Sequence, residues 1–452
     1  MRNENFREFA KYASLNTLGM VGLSLYILAD TFFISKGLGA NGLTALNLAL
    51  PIYNLVHGAG LMLGMGGATR YSIVVSRGDR ERGNEAFTAT MMLMAAFSLV
   101  FMALGLFFSG QITTLLGADP EVYEMTRTYL KVILLFSPAF ISNEIFLGFV
   151  RNDGNPRLAT ICMLMGSLFN IVFDYIFIFP LGMGIFGAVL ATGISPVVSI
   201  SLIMIFYCGR GKQGFHFRRG IPDGKTFGRI SSLGVPSLIT EVCTGLVILV
   251  FNMLMLRLEG NVGVAAYGVV VNISYVMVAM YTGLAQGTQP LLSRAYGRGQ
   301  FGEMRQFLRY ALGAAALISA AIYVVIGFFA DPVAGIFNSE NNVTMQAIAV
   351  PGERLYFSAA FFVGCNVLLA VYFTAVNRPV PAQVISLLRG IVILVPMAAL
   401  MSGIWGVTGL WLSYPVTEGL VFVFAVICYL LSVKGSGHGR GKRKGGNGGN
   451  VS

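Results

Sequence analysis

Asn170 and Asp174 stand four residues apart inside a largely apolar run from Leu158 to Phe179. Residues with this spacing share one face of an α-helix. An ionised carboxylate inside a membrane costs about 2.5 to 3.5 kcal/mol on insertion scales, so a carboxylate kept there usually faces a cavity or an ion. The pair therefore indicates a site that binds a proton or a metal cation.

Two further polar residues are expected at a similar depth. Asp174 lies six residues before the predicted end of its helix, and Thr192 lies six residues after the predicted start of the next one. With a rise of 1.5 Å per residue, both lie roughly 9 Å below the helix ends, and Asp30 has a similar depth in the first predicted helix. We therefore expect Asp30, Asn170, Asp174 and Thr192 to converge.

Two carboxylates, one amide and one hydroxyl provide oxygen ligands, which hard cations such as sodium prefer. Two neighbouring carboxylates also favour the binding of one proton, because like charges at short range destabilise one another. The residues alone leave three alternatives open: a proton site, a sodium site, or four polar groups that are satisfied separately.

Other ionisable side chains also lie inside predicted membrane helices. Glu241 and Glu418 are candidates for a site in the second half of the chain, and an ion pair with Arg389 is the structural alternative for Glu241. Glu144 lies near one end of its helix, which favours snorkelling to the membrane surface. His57 is a lone imidazole, for which core hydrogen bonding and a proton relay are the alternatives.

The composition is that of an integral membrane protein. Of the 452 residues, 55% are hydrophobic and 11% are charged, whereas soluble domains contain about 25% charged residues. Twelve apolar runs are long enough to cross a bilayer as helices, since about 20 residues suffice. They cover approximately residues 12–34, 46–76, 86–109, 127–150, 158–180, 186–208, 231–256, 266–295, 306–329, 350–376, 381–402 and 405–433. We predict an all-α integral membrane protein with twelve transmembrane helices.

The positive charge indicates membrane sidedness rather than a nucleic-acid partner. The net charge is +11, and with both termini on one side, 24 of the 31 Lys and Arg residues lie on that side. By the positive-inside rule this basic side faces the cytoplasm. We expect a multi-pass protein of the plasma membrane with both termini cytoplasmic, in contact with membrane lipids and without nucleic acid.

The two halves of the chain are related to one another. At an offset of 221 residues, Gly39, Gly66 and Gly78 meet Gly260, Gly287 and Gly299, whereas Asp30 meets Phe251. An offset that spans six helices gives both copies the same orientation in the membrane. We predict a parallel repeat of two six-helix bundles, residues 1–208 (the first half) and 231–433 (the second half), with a cytoplasmic linker at 209–230 and a disordered basic tail at 434–452.

Small residues cluster in the second apolar run, at Gly60, Gly64, Gly66, Gly67 and Ala68. Such residues allow membrane helices to approach closely. We expect close helix packing there.

The sequence contains no phosphate-binding loop, no HExxH zinc motif and no paired-cysteine motif, each of which would indicate a specific chemistry. We therefore predict that the protein is not an enzyme, that it needs no cofactor and that an ion gradient supplies its energy.

Several runs resemble the multidrug and toxic compound extrusion (MATE) family, over essentially Ala10 to Leu431. The strongest is Arg151-Asn-Asp-Gly-Asn-Pro-Arg157, followed by Gly166-Ser-Leu-Phe-Asn170, Asp174, Gly182-Met-Gly-Ile-Phe-Gly187-Ala188 and Ala191-Thr192. The run Gly283-Leu-Ala-Gln-Gly287-Thr-Gln-Pro290 is also similar to the family's pattern.

The resemblance implies a V-shaped pair of six-helix lobes and export of cationic or amphipathic drugs in exchange for protons or sodium ions, by alternating access. It places the ion site of the first lobe at Asp30, Asn170, Asp174 and Thr192. In the second lobe the resemblance is incomplete, because Cys365-Asn366 stands where some members have a carboxylate. The candidates for a second-lobe or substrate site are Glu241, Gln286, Gln289 and Glu418.

We expect ion binding at Asp30 and Asp174 to change how the first and fifth predicted helices pack. Drug affinity then falls on the outer side, and the transporter returns to its starting state. We expect the transporter to act as a monomer. The alternative is a flippase for lipids or lipid-linked saccharides from the same wider superfamily, which would need a cavity rich in cationic side chains.

Overall fold

The computed structural model describes residues 2–208, 214–337 and 342–441, and these residues form helices without any strand. The helices are α1 (Arg2–Val75), α2 (Arg80–Phe107), α3 (Ser109–Leu115), α4 (Tyr123–Leu135), α5 (Ser137–Asn152), α6 (Pro156–Ile178), α7 (Gly184–Cys208), α8 (Gly224–Gly297), α9 (Phe301–Phe337), α10 (Val343–Phe357), α11 (Ala360–Ala375), α12 (Pro379–Leu387) and α13 (Leu394–Gly441), with a π-helical turn at Leu388–Val392. The prediction of an all-α fold is confirmed.

Nine helices in the described residues are long and apolar enough to cross a membrane, or eleven when two bent pairs are each counted as one span. The last of them, Pro379–Val433, has 55 residues and is interrupted by non-helical backbone at Trp405 and Gly406. A straight helix of that length would measure about 80 Å, against about 30 Å of hydrocarbon. Two crossings in this segment account for the twelve that the sequence predicts.

The repeat is visible in the backbone. Gly39 bends α1 with φ 66° and ψ −157°, and Gly260 bends α8 with φ 63° and ψ −153°. Gly78 and Gly299, which the same offset of 221 residues relates, also have positive φ. Glycine adopts this conformation without the steric cost that a side chain would add, so each half turns its first two crossings in the same way.

The fourth crossing of each half is bent as well. Helices α4 and α5 meet at 48°, and α10 and α11 meet at 46°. The parallel repeat therefore extends from the hairpin turns to the bends within single crossings.

Each half has its own hydrophobic core, and α1 contributes to both. The core of the second half includes Phe9, Tyr12 and Ala13 from the start of α1, whereas Ile34 and Leu46, further along α1, belong to the core of the first half. Helix α1 therefore joins the two bundles.

Glycines bring the two halves into direct backbone contact on the side that the sequence identifies as basic. A Cβ atom added to Gly234 would lie 1.8 Å from the carbonyl oxygen of Met62, and one added to Gly66 would lie 2.1 Å from that of Ile230. A Cβ on Gly287 would lie 2.5 Å from the carbonyl oxygen of Tyr12. The close packing expected around Gly66 is confirmed.

Parts of the predicted linker and of the predicted tail lie outside the residues that the structure describes. Residues 209–213 of the predicted linker and 442–452 of the predicted tail are outside the described residues, while α13 extends to Gly441. The proposed domain boundaries stay predictions.

We predict that Gly234→Ala destabilises the closed arrangement of the two halves, because its methyl group would overlap the backbone at Met62. Overpacking of this kind costs typically 1–3 kcal/mol. The matched control is Gly228→Ala on the same helix, where no atom lies within 4 Å of an added Cβ. Thermal unfolding of the purified proteins in detergent measures the difference; equal unfolding temperatures for the two variants would contradict this packing.

Candidate functional site

The four residues predicted to converge lie together in the first half, and we call them the coupling site. Asp30 comes from α1, Asn170 and Asp174 from α6, and Thr192 from α7, and all four are buried. The carboxyl groups of Asp30 and Asp174 are close enough to interact with each other. Burial inside a bundle of apolar helices makes every unpaired charge at this point costly.

Within the coupling site, the amide of Asn170 connects α6 to α7. In the orientation that satisfies both neighbours, its nitrogen donates to Asp174 Oδ2 at 3.1 Å and its oxygen accepts from the Thr192 backbone N–H at 3.3 Å. The Thr192 hydroxyl donates to the carbonyl of Ala188 at 3.2 Å, which leaves its oxygen lone pairs free to accept. Asn170 therefore fixes the position of the Asp174 carboxyl group relative to the backbone at Thr192.

Three tyrosines surround these carboxylates, and the sequence analysis did not identify them. Tyr129 on α4 is buried and interacts electrostatically with both Asp30 and Asp174. The hydroxyls of Tyr26 and Tyr53 lie 3.4 Å apart, close to Asp30. Phenolic hydroxyls can donate to a carboxylate or accept from a protonated one, so they suit either charge state of the site.

The coupling site contains no cationic side chain. Among the described residues, no Lys, Arg or His forms an ion pair with Asp30 or Asp174, and one oxygen of each carboxyl group, Oδ1, has no hydrogen-bond partner. Two carboxylates so close together in an apolar interior need a proton or a metal cation to offset their charge. The four predicted residues provide the oxygen atoms for either one.

Glu418 in the second half lies in a different environment. Arg389 Nε donates to both carboxylate oxygens of Glu418, at 2.9 and 3.0 Å. Asn366 Nδ2 donates to Oε2 of the same carboxylate at 2.7 Å and to its backbone carbonyl at 2.9 Å. The charge of Glu418 is therefore neutralised within the protein.

The structural alternative for Glu241, an ion pair with Arg389, is wrong. Arg389 lies in the π-helical turn Leu388–Val392, which interrupts the helical repeat and directs the guanidinium to Glu418 on α13. Such turns are often found at functional sites. Glu241 instead approaches His57, with Oε2 at 3.8 Å from Nδ1.

The expectation that Glu144 snorkels is also wrong. The residue is buried, and its Oε1 lies 3.8 Å from His57 Nε2. The Glu144 backbone packs against Gly64, where an added Cβ would lie 2.6 Å from the Glu144 carbonyl oxygen. Close packing against this glycine keeps the middle of α5 in the interior.

Gln286 and Gln289 take part in a buried polar network, which we call the clamp. Arg151 Nη1 donates to Gln286 Oε1 and, at 3.1 Å, to Asn16 Oδ1. Gln289 Nε2 donates to Thr69 Oγ1 at 2.8 Å, and its Oε1 accepts from Asn152 Nδ2 at 2.9 Å. The clamp consists of Asn16, Thr69, Arg151, Asn152, Gln286 and Gln289. It links the two halves on the basic side.

A cavity of about 210 Å³ lies in the second half and combines acidic and aromatic side chains. We call it the second-half cavity. Its charged lining residues are Glu241, Arg389 and Glu418, and its tyrosines are Tyr267, Tyr275, Tyr356 and Tyr414. Since Arg389 and Glu418 neutralise one another, Glu241 gives the lining a net negative charge. Tyrosine rings and a carboxylate are suited to organic cations.

The chain was compared with known protein families. The profile of the MatE family matches residues 17–176 and 236–400, which together make up most of the chain. The chain belongs to the MatE family. The resemblance seen in Arg151–Arg157 and around Asp174 is thereby confirmed, and MatE proteins are transporters.

Two further comparisons agree with this MatE assignment. The multidrug export protein MepA of Staphylococcus aureus (strain MRSA252) is 24% identical over 428 residues, which cover 94% of each chain. The MepA protein of Staphylococcus saprophyticus is 26% identical over 411 residues, 90% of each chain.

The fold of this MatE chain matches a solved transporter of the same type. An outward-facing structure of a multidrug resistance MATE family transporter of the MOP superfamily superposes with a TM-score of 0.88 at 21% identity, over 95% of this chain and 96% of that one. The predicted fold class, including the two parallel bundles, is confirmed.

We predict that the stability of this MatE protein falls as the pH rises from mildly acidic to alkaline without sodium, because Asp30 and Asp174 then both carry a negative charge in an apolar interior. Two like charges about 4 Å apart repel by about 4 kcal/mol at the effective dielectric constant of a protein. Asp174→Asn leaves one carboxylate and should reduce the fall, whereas the loop control Asp119→Asn should not.

The measurement is the unfolding temperature across this pH range for the three purified proteins. The same pH dependence in the wild type and in Asp174→Asn would show that the two carboxyl groups do not share a proton.

Proposed function

We propose that the protein is a secondary active multidrug efflux antiporter, which exports cationic or amphipathic small molecules in exchange for protons or sodium ions. The observation that carries this proposal is the contrast between two buried acidic sites. Asp30 and Asp174 have no cationic side chain as partner, whereas Arg389 neutralises Glu418. A cation from outside the protein is therefore needed at the coupling site, and a gradient of that cation can provide the energy.

The sidedness follows from the distribution of basic residues. We place both termini in the cytoplasm and the protein in the plasma membrane, because most Lys and Arg residues lie on the side of the termini. The clamp and the contact of Gly234 with Met62 lie on this side. The described arrangement is then closed toward the cytoplasm and corresponds to an outward-facing state.

Alternating access is supported by the contacts of α1. Asp30 on this helix lies beside Asp174 in the first half, while Asn16 on the same helix accepts from Arg151 of the clamp. Tyr12, also on α1, packs in the core of the second half. A change in the packing of α1 at Asp30 would therefore alter contacts that hold the cytoplasmic side closed, which couples ion binding to the exchange between two states.

The second-half cavity supports a cationic substrate. Its net negative charge and its tyrosines suit organic cations, whereas a lipid-linked phosphate would need an unpaired cationic side chain. Arg389, the cationic residue that lines it, is already paired with Glu418. The volume of about 210 Å³ is below the roughly 300 Å³ of small drug sites, so a drug would need a wider state.

The test is efflux of a cationic dye from proteoliposomes, first with a pH gradient alone and then with a sodium gradient alone. We expect the wild type to respond to one of the two gradients. Asp30→Asn and Asp174→Asn should reduce gradient-driven efflux at least about tenfold, the effect of 1.4 kcal/mol, because each removes a ligand of the coupling ion. Asp119→Asn is the matched control.

Two results would refute the proposal. No response of the wild type to either gradient would exclude antiport, and full transport by both Asp→Asn variants would remove the coupling site from the mechanism. Movement of a lipid-linked saccharide without dye efflux would favour the flippase. Single-molecule photobleaching of labelled protein in the same vesicles tests the expectation that the transporter is a monomer.

A further inference from the structure

His57 lies between two carboxylates that belong to different halves of the protein. Its Nε2 is 3.8 Å from Glu144 Oε1 on α5, and its Nδ1 is 3.8 Å from Glu241 Oε2 on α8. The ring of Tyr53 stacks on the imidazole, with ring centroids 5.9 Å apart and an interplanar angle of 11°. We call Glu144, His57 and Glu241 the imidazole bridge.

Both ring nitrogens lie at ion-pair distance from a carboxylate, 3.8 Å in each case, which favours the charged imidazolium over the neutral ring. A neutral imidazole carries a proton on one nitrogen only, so its other nitrogen would present a lone pair to a carboxylate. The doubly protonated imidazolium can donate toward Glu144 and Glu241 at once. The imidazole bridge is therefore built to bind a proton.

The imidazole bridge also separates two cavities. Glu241 lines the second-half cavity. His57 and Glu144 line a smaller cavity of about 40 Å³ in the first half, together with Tyr26, Tyr53 and Thr192 of the coupling-site region. This volume is large enough for a water molecule. Water entering the small cavity could therefore accept a proton from His57.

The charges around His57 determine what can replace its proton. Glu144 from α5 and Glu241 from α8 are the charged groups that face it, and Tyr53 is its aromatic neighbour on α1. Neither a Lys nor an Arg is among the described residues that line the small cavity. An organic cation in the second-half cavity, next to Glu241, would supply the positive charge that the imidazolium supplies in its absence.

We propose that the imidazole bridge is a second proton-binding site, distinct from the coupling site, whose proton is exchanged for a cationic substrate in the second-half cavity. Binding of the organic cation beside Glu241 breaks an N–H bond of His57, and the proton passes to water. This inference rests on the proposed function for its substrate class. It differs from that function in its residues, because it needs neither Asp30 nor Asp174.

The experiment measures proton release on binding of tetraphenylphosphonium, a permanently charged organic cation that cannot itself lose a proton. Isothermal titration calorimetry of the purified protein at pH 7 in two buffers with different ionisation enthalpies gives the number of protons released per cation bound. We expect release of up to about one proton by the wild type. Affinity should then rise with pH, by at most about tenfold per pH unit for one linked proton.

The informative variants differ at His57 and at the coupling site. His57→Gln should still bind tetraphenylphosphonium but lose the proton release and the pH dependence of affinity. Asp174→Asn should keep both, although it loses gradient-driven efflux. His216→Gln is the matched control, because His216 lies in a loop, where it bonds with Asn84.

A second variant separates the loss of proton binding from any structural effect of removing the imidazole ring of His57. Glu144→Gln keeps His57 but removes one carboxylate, so it should bind the proton more weakly and release less on cation binding at pH 7. Unchanged release in His57→Gln or in Glu144→Gln would overturn the inference, while gradient-driven efflux by the wild type would leave the proposed function intact. Failure of the wild type to bind tetraphenylphosphonium would also overturn the inference, whereas the proposed function is refuted by absence of gradient-driven dye efflux.

Discussion

Two carboxylates buried side by side without a cationic partner are the constraint on which the mechanism depends. Asp30 and Asp174 lie in the apolar interior of the first half, and each has an oxygen without a hydrogen-bond partner among the described residues. An ionised group in this environment costs several kcal/mol unless it is paired. In the second half, the buried carboxylate of Glu418 is paired with Arg389, which offsets the same cost. The pair in the first half has no such internal partner, so its compensating cation has to come from outside the protein.

Helix α1 connects this constraint to the rest of the molecule. Asp30 lies in the last third of its first crossing, Tyr12 and Asn16 reach the second half and the clamp, and His57 on its second crossing approaches Glu241. Interfaces of packed glycines, such as that at Gly234, do not deform gradually, because small displacements create overlaps or voids. We therefore expect each half to move as a rigid body, so that the contacts between the halves change together rather than one residue at a time.

The sequence predicts the scaffold better than the contacts between helices. The offset of 221 residues identifies Gly39 and Gly260 as equivalent, and both have the same bend, because a backbone conformation follows from local sequence. Asn170 and Asp174 stand out because an unpaired charge is rare in an apolar run. Tyr129 carries no such signal, since the rotation of its helix depends on tertiary packing. The wrong pairing of Arg389 has a similar cause: the π-helical turn that redirects it has no pattern in the sequence.

The central claim is that cation occupancy of the coupling site decides whether the clamp side is closed. Distances between spin labels at Arg80→Cys and Gly302→Cys, two exposed positions on different halves, can be measured by double electron–electron resonance in a cysteine-free background, at high and low pH and with and without sodium. The account predicts that the coupling cation lengthens this distance in the wild type and has no such effect when Asp30 and Asp174 are both Asn. An unchanged distance in the wild type under every condition, or the same lengthening in the double variant, would contradict it.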